Sequence, residues 1–244
     1  MLTVGLNRPA KRNALNDGII LAIQDCFSNL PEGIGAVVIH GIGDHFSSGL
    51  DLSELTEHDA TEGLRHSQMW HRVFDRIQYS RVPVIAALKG AVIGGGLELA
   101  CAAHIRVAEP SAYFALPEGQ RGIFVGGGGS VRLPRLIGVA RMTDMMLTGR
   151  VYSATEGAAY GFSQYLTEAG GALPKALELA ERVAANAPLT NFAVLQALPM
   201  IAEANPQTGL LMESLMATVA QSDKEAKRRI RAFLDRKTAK VKPT

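Results

Sequence analysis

Short apolar runs alternate with amphipathic stretches through the first half of the chain. TVGL (3–6), GAVVIH (35–40), VPVIAAL (82–88) and HIRVAE (104–109) are of strand length and read as buried strands. Between them, IILAIQDCFSNL (19–30) and LRHSQMWHRVFDRIQYS (64–80) repeat their apolar residues at helical spacing. Strands alternating with helices predict an α/β core.

After about residue 130 the pattern becomes helical, punctuated by Gly and Pro, through RLIGVARMTDMMLTG, SATEGAAYG, PKALELAERVAANAP (174–188) and FAVLQALPMIAEA. Ser153 followed by Glu156 fits a capping box that opens a short helix, and Gly161 closes it. Residues 1–185 are expected to form the core. Residues 186–244 are expected to form a helical region that covers or extends it rather than an independent domain. There is no internal repeat or low-complexity segment.

With 244 residues and 47% hydrophobic composition the chain can bury a full core. No run of about 18 apolar residues is available to span a bilayer, and the N-terminus lacks the regions of a signal peptide, so the expected compartment is the cytoplasm. Cys26 and Cys101 lie far apart in apolar surroundings and are expected to be packed thiols. The net charge of +2 is too small to point to nucleic acid, although KEAKRRIRAFLDRKTAKVK concentrates Lys and Arg near the C-terminus.

Candidate chemistry centres on GAVIGGGLELA (90–100), where Gly94, Gly95 and Gly96 precede a helical run whose one charge is Glu98. A carboxylate on an apolar helix face must be paired, neutralised or used, because stripping its water is costly. Alone it is ordinarily a structural ion pair or a wet helix edge. Glycines at a helix start, however, leave first-turn N–H groups open, and such groups stabilise negative charge developing on oxygen. A second carboxylate, Glu118, stands between Pro117 and Gly119 in FALPEGQRG (114–122). Alone it reads as a solvated turn residue, but two carboxylates on separate elements suit the addition or removal of water. HFSSGLDLSEL (45–55) adds a small-residue turn at Gly49 where backbone can approach a ligand. GIFVGGGGS (122–130) and GIGDHF (41–46) match neither dinucleotide nor phosphate-loop patterns, His66 and His71 do not form a metal motif, and no serine sits in a nucleophile elbow.

Together, LNRPAKRNALN (6–16), HFSSGLDL (45–52), PVIAALKGAVIGGGLELA (83–100), FALPEGQRG (114–122) and MLTGRVYSATEGAAYGF (146–162) resemble the crotonase family, the enoyl-CoA hydratase/isomerase superfamily. The resemblance runs from about residue 3 to about residue 236. It implies a crotonase (ClpP-like) fold, with repeated ββα units in two near-perpendicular sheets and C-terminal helices that build a trimer or a dimer of trimers. It assigns the N–H groups of Leu50 and Gly95 to an oxyanion hole for a thioester enolate. It makes Glu98 and Glu118 the acid/base pair of a hydratase, both activating water for C3 of a 2-enoyl-CoA and Glu118 delivering the proton at C2.

The same resemblance assigns CoA contacts to Lys11, Asn13, Ala14 and Leu15, and to Ser48, Asp51 and Leu52. No metal or redox cofactor is implied, because CoA arrives with the substrate. In three places the chain departs from the family. It starts inside the usual first hairpin, so a strand is expected to be missing. Arg228 and Arg229 replace a Glu-Gly pair, either as a solvated helix face or as contacts to CoA phosphates. GQRGIFVGGGGS replaces a more apolar run that shapes the acyl pocket.

The expected activity is therefore syn hydration of a 2-enoyl-CoA. The rivals on the same scaffold are double-bond isomerisation, thioester hydrolysis and hydration with carbon–carbon cleavage of an aromatic enoyl-CoA. A more remote rival, supported by the basic tail alone, is RNA binding.

Overall fold

The larger of two sheets has central strands of four or five residues buried on both faces, between edge strands that are partly exposed. A computed structural model describes residues 1–54 and 59–235. Strands β1 (Leu2–Leu6), β2 (Val37–Gly41), β3 (Val84–Leu88) and β5 (Ile105–Ala108) pair in that order, all parallel, and the two-residue strand β8 (Tyr165–Leu166) closes the far edge. Helices α1 (Asp17–Ser28) and α2 (Ala60–Gln78) link the first three strands. Alternation along the strands divides the interior. Val37, Ile39, Val84, Ala86 and Leu88 face the main core beside Ile20, Phe27, Val73 and Phe74 of those helices. Val38, Ile85, Ala87 and Val107 face the opposite side, against Ala176, Leu179 and Ala180 of α7 (Ala172–Ala184).

The smaller sheet holds β4 (Ala91–Ile93), β6 (Tyr113–Ala115) and β7 (Tyr152–Ser153), parallel then antiparallel. Each of its first two strands follows a strand of the larger sheet and precedes a helix, β4 leading to α3 (Gly95–Ala102) and β6 to α4 (Gly129–Ile137). This is a ββα unit used repeatedly. Gly90 makes the passage from β3 to β4, with a left-handed φ of 52° and no room for a Cβ beside the Asp44 carbonyl.

Helix α5 (Val139–Thr148) and helix α6 (Ala154–Tyr160) complete this part. The expected capping box is present, since the Glu156 N–H donates to Ser153 Oγ and the Glu156 carboxylate accepts from the Ser153 N–H, and Gly161 terminates α6 at φ 97°.

The chain divides into two compact units, Met1–Ala184 and Ala185–Thr244. The second is helical, with α8 (Pro188–Phe192), a π-helical turn (Ala193–Ala197), α9 (Leu198–Glu203), α10 (Pro206–Ser222) and α11 (Lys224–Leu234). Pro199 has no N–H to return to the preceding turn, and the helix widens just before it. On α11 the Glu225 carboxylate accepts from both Arg228 and Arg229. The remainder of the basic segment, from residue 236, lies outside the described residues.

One expectation on element type needs correction, and four strands were not expected. Four short strands, β4, β6, β7 and β8, were not legible as periodic runs, because two or three residues do not display a period. The run expected as one helix over 174–188 ends at Ala184, and Pro188 opens the next helix instead of closing this one. No described helix is long and apolar enough to cross a membrane.

Candidate active site

The glycine triplet is a steric requirement at all three positions. A Cβ on Gly94 would lie 2.7 Å from Glu118 Oε1, one on Gly95 2.8 Å from Trp70 Cζ3, and one on Gly96 2.6 Å from the Ser47 carbonyl oxygen. Three neighbouring elements therefore press directly on the backbone at the start of α3. Gly94 is its N-cap and has no side chain to fold back onto the first turn. The Gly95 N–H donates to no protein group among the described residues.

A second such N–H lies beside it. The 47–51 segment runs next to residue 15, with Leu15 N–H donating to the Gly49 carbonyl at 2.7 Å and Asp51 N–H donating to the Leu15 carbonyl at 2.8 Å. Strand-like alternation turns the intervening Leu50 N–H away from residue 15, and it too donates to no group among the described residues. Leu50 N is 3.5 Å from the position a Gly95 Cβ would take, so the two residues are close neighbours on one cavity.

Glu98, one turn into α3, is 4% exposed. Its Oε1 accepts from the N–H of Gly127 at 2.8 Å and of Gly129 at 2.7 Å. Burial pushes the carboxyl above the usual range, opposed by those N–H groups and by the charge of Arg132. Arg132 on α4 is itself buried and donates to the Gly127 carbonyl at 3.0 Å, while α2 holds it through Asp75 and Gln78.

Glu118 follows β6 and immediately precedes a 3₁₀ turn, Gly119–Arg121. Its Oε2 is buried with no hydrogen-bond partner among the described residues. Burial pushes the carboxyl up to about 7, the nearby charge of Glu98 adds to the rise, and Arg121 opposes it. A cavity of about 460 Å³ brings Glu98, Glu118, Leu50, Gly95, Trp70 and Arg121 together. Paired carboxylates with raised values beside two unengaged donors are equipment for moving protons next to a developing oxyanion.

The residues expected to meet CoA divide between the cavity and the interior, with Lys11 exposed. Ser48 and Leu52 line the cavity, whereas Lys11, Asn13, Ala14, Leu15 and Asp51 do not. Lys11 Nζ donates to Asp51 Oδ2 at 3.0 Å and to Ser53 Oγ at 2.9 Å. Asp51 is held well below the usual carboxylate range by Ser53 and Lys11, with Arg8 bonded to it at 2.8 Å. Asn13 adopts a left-handed φ of 56° and is fully buried, its amide donating to the Ile42 and His45 carbonyls. Its side chain is a fold element, as is Ser48 N–H donating to the Arg12 carbonyl at 2.9 Å. Ala14 and Leu15 are buried beside it.

The sequence reading did not identify Arg8, Trp70, Arg132 or the glycines that hold Glu98. The unusual GGGG run, Gly126–Gly129, was the available signal for the last of these. Of the two thiols, Cys101 is buried and pushed up to about 11, while Cys26 is half-buried, less packed than expected. No group of three or more His, Cys, Asp or Glu among the described residues is placed to hold a metal ion.

The enoyl-CoA hydratase/isomerase family model matches residues 1–243. A 2,3-dehydroadipyl-CoA hydratase of Escherichia coli K12 is 33% identical, covering 99% of this chain and 95% of its own. Among solved structures, a protein of Rhodopseudomonas palustris CGA009 provisionally named an enoyl-CoA hydratase is 82% identical with a TM-score of 0.95, over 98% of this chain and 93% of that one. The enoyl-CoA hydratase of Bacillus anthracis is 30% identical with a TM-score of 0.90, over 96% and 93%. The architecture is the crotonase fold, α/β with a C-terminal helical region. With the family model spanning residues 1–243, this chain belongs to the enoyl-CoA hydratase/isomerase family.

Proposed function

We propose that this protein is an enoyl-CoA hydratase that adds water across the 2,3 double bond of a 2-enoyl-CoA thioester. The observation that carries the reading is the meeting of two buried glutamates and two unengaged backbone N–H groups in one cavity. In the reaction the water oxygen bonds to C3, and the electron pair of the double bond moves toward the thioester oxygen. The Leu50 and Gly95 N–H groups receive that developing charge, a contribution of on the order of a hundredfold or more in rate per donor. Glu98, ionised and held by Gly127 and Gly129, accepts a proton from the water. Glu118, protonated, gives its proton to C2, and transfer of a proton from Glu98 to Glu118 resets the pair.

In this reading the chemistry belongs to carboxylates and backbone donors, and CoA enters as part of the substrate. Its polar end lies beside Lys11, Ser48 and Leu52, which are not buried, where the ion pair of Lys11 with Asp51 fixes residues 11–15 and 48–52 to each other. The helices of Ala185–Thr244 assemble copies of the chain into a trimer or a dimer of trimers. Support comes from α10, which exposes Leu210, Leu211 and Leu215. Mass by light scattering tests that assembly, and a monomer contradicts it.

The test of activity is product analysis in heavy-oxygen water with 2-enoyl and 3-enoyl thioesters, aliphatic and aromatic. Hydration places the label on the C3 hydroxyl of a 3-hydroxyacyl-CoA. Label in a released acid, a shifted double bond without label, or a released aldehyde each contradicts the hydratase assignment.

A further inference from the structure

The cavity carries a cation that hydration of a plain hydrocarbon chain does not use. Arg121 lines it together with both glutamates. It closes the 3₁₀ turn that directly follows Glu118, and Gly122 at φ 70° caps that turn and fixes where it stops. Among the described residues its side chain makes no ion pair and no hydrogen bond. The neighbouring wall is apolar, with Ile123, Phe124 and Val125 next in sequence on the same cavity.

For an apolar acyl chain this arrangement is unfavourable twice over. The chain would strip water from a guanidinium without replacing it. Arg121 also pulls the Glu118 carboxyl down, against the rise that burial gives it. A ligand that brings its own anion reverses both effects, because a carboxylate meets the guanidinium in a bidentate pair and neutralises the charge beside Glu118.

We propose that Arg121 reads a carboxylate at the far end of the acyl chain, so that the preferred substrates are CoA thioesters of unsaturated dicarboxylic acids. This rests on the hydratase reading and names its substrate class. The other anion that CoA thioesters carry is the phosphate of CoA itself, which all of them share, so a comparison of acyl ends separates the two sources.

The experiment uses the full-length protein and the unreactive saturated thioesters succinyl-, glutaryl- and adipyl-CoA, each beside its methyl ester. Binding is measured by calorimetry for wild type, Arg121→Leu and Arg121→Lys. Arg121 is exposed, so the substitutions leave the core intact. Wild type is expected to prefer at least one acid over its ester by on the order of a hundredfold. Arg121→Leu abolishes that preference, and Arg121→Lys keeps part of it. Equal binding of every acid and its ester by wild type overturns the proposal, whether or not any enoyl thioester is hydrated. An acid preference that survives in Arg121→Leu overturns it too, as does equal weakening of acids and esters, which would place the CoA phosphates on Arg121. Failure of hydration itself appears separately, in the product analysis.

Discussion

The Gly129 N–H donates to Glu98 Oε1 at 2.7 Å, and the Gly127 N–H shares the same oxygen at 2.8 Å. A buried carboxylate is thus held by backbone dipoles rather than by a lysine or arginine salt bridge, and it loses its freedom to turn while burial still raises it above the usual range. The spacing leaves no slack. A Cβ on Gly129 would lie 2.8 Å from both Cγ and Oε1 of Glu98.

Gly129→Ala is therefore expected to displace the carboxylate. Overpacking of this kind costs about 1–3 kcal/mol of stability, and misplacement of a proton-transfer group costs on the order of a hundredfold in kcat. Thermal unfolding and steady-state kinetics together check it. A variant that melts lower but retains wild-type kcat contradicts the positioning role.

Arg132 acts through Gly127, whose carbonyl it grips from α4. Its charge also holds the Glu98 carboxyl down. Arg132→Met should lower kcat about tenfold, as losses of supporting groups commonly do, and should let the Glu98 carboxyl rise further. The acidic limb of the kcat profile then moves to higher pH. An unmoved limb would mean that Arg132 braces the fold alone.

Glu118 makes a two-part expectation about pH. As the proton donor it acts when protonated, so kcat/KM should fall as pH rises through about 7. Stability follows the same proton. The folded state binds it more tightly than the unfolded chain, so the stabilisation is complete below the unfolded carboxyl's value and is lost as pH rises through about 7. Glu118→Gln removes that loss, and its Tm relative to wild type should grow between about pH 5 and about pH 8. A constant Tm difference would show a carboxyl with an ordinary value.

The Leu50 and Gly95 donors should polarise a bound thioester before any reaction. Infrared spectra of a saturated acyl-CoA labelled at the carbonyl carbon are expected to show its stretch at lower wavenumber on the protein than in water. An unshifted band would mean that the carbonyl lies elsewhere.

Much of the larger sheet was legible because Val37–Ile39 and Val84–Leu88 are continuous apolar runs, which a strand buried on both faces requires. The glycine triplet with Glu98, and Glu118 between Pro117 and Gly119, were legible as local departures from pattern. The partners of Glu98 were not, since Gly127 and Gly129 lie 29 and 31 residues away and a backbone donor leaves no side-chain signature. Arg8, whose guanidinium pairs with Asp51 from the first loop, was hidden by its distance along the chain. Trp70 read as one more apolar residue of an amphipathic helix. Only the fold brings it against Gly95, where it lines the cavity.

The glutamate pair itself is put at risk by hydration rates for wild type, Glu98→Gln and Glu118→Gln on the best thioester of the product panel. Both substitutions keep the side-chain shape and remove the proton chemistry. The mechanism predicts that each lowers kcat by about a thousandfold while thioester binding and folding stay near wild type. Either variant retaining kcat within about threefold of wild type would show that water is activated by some other group.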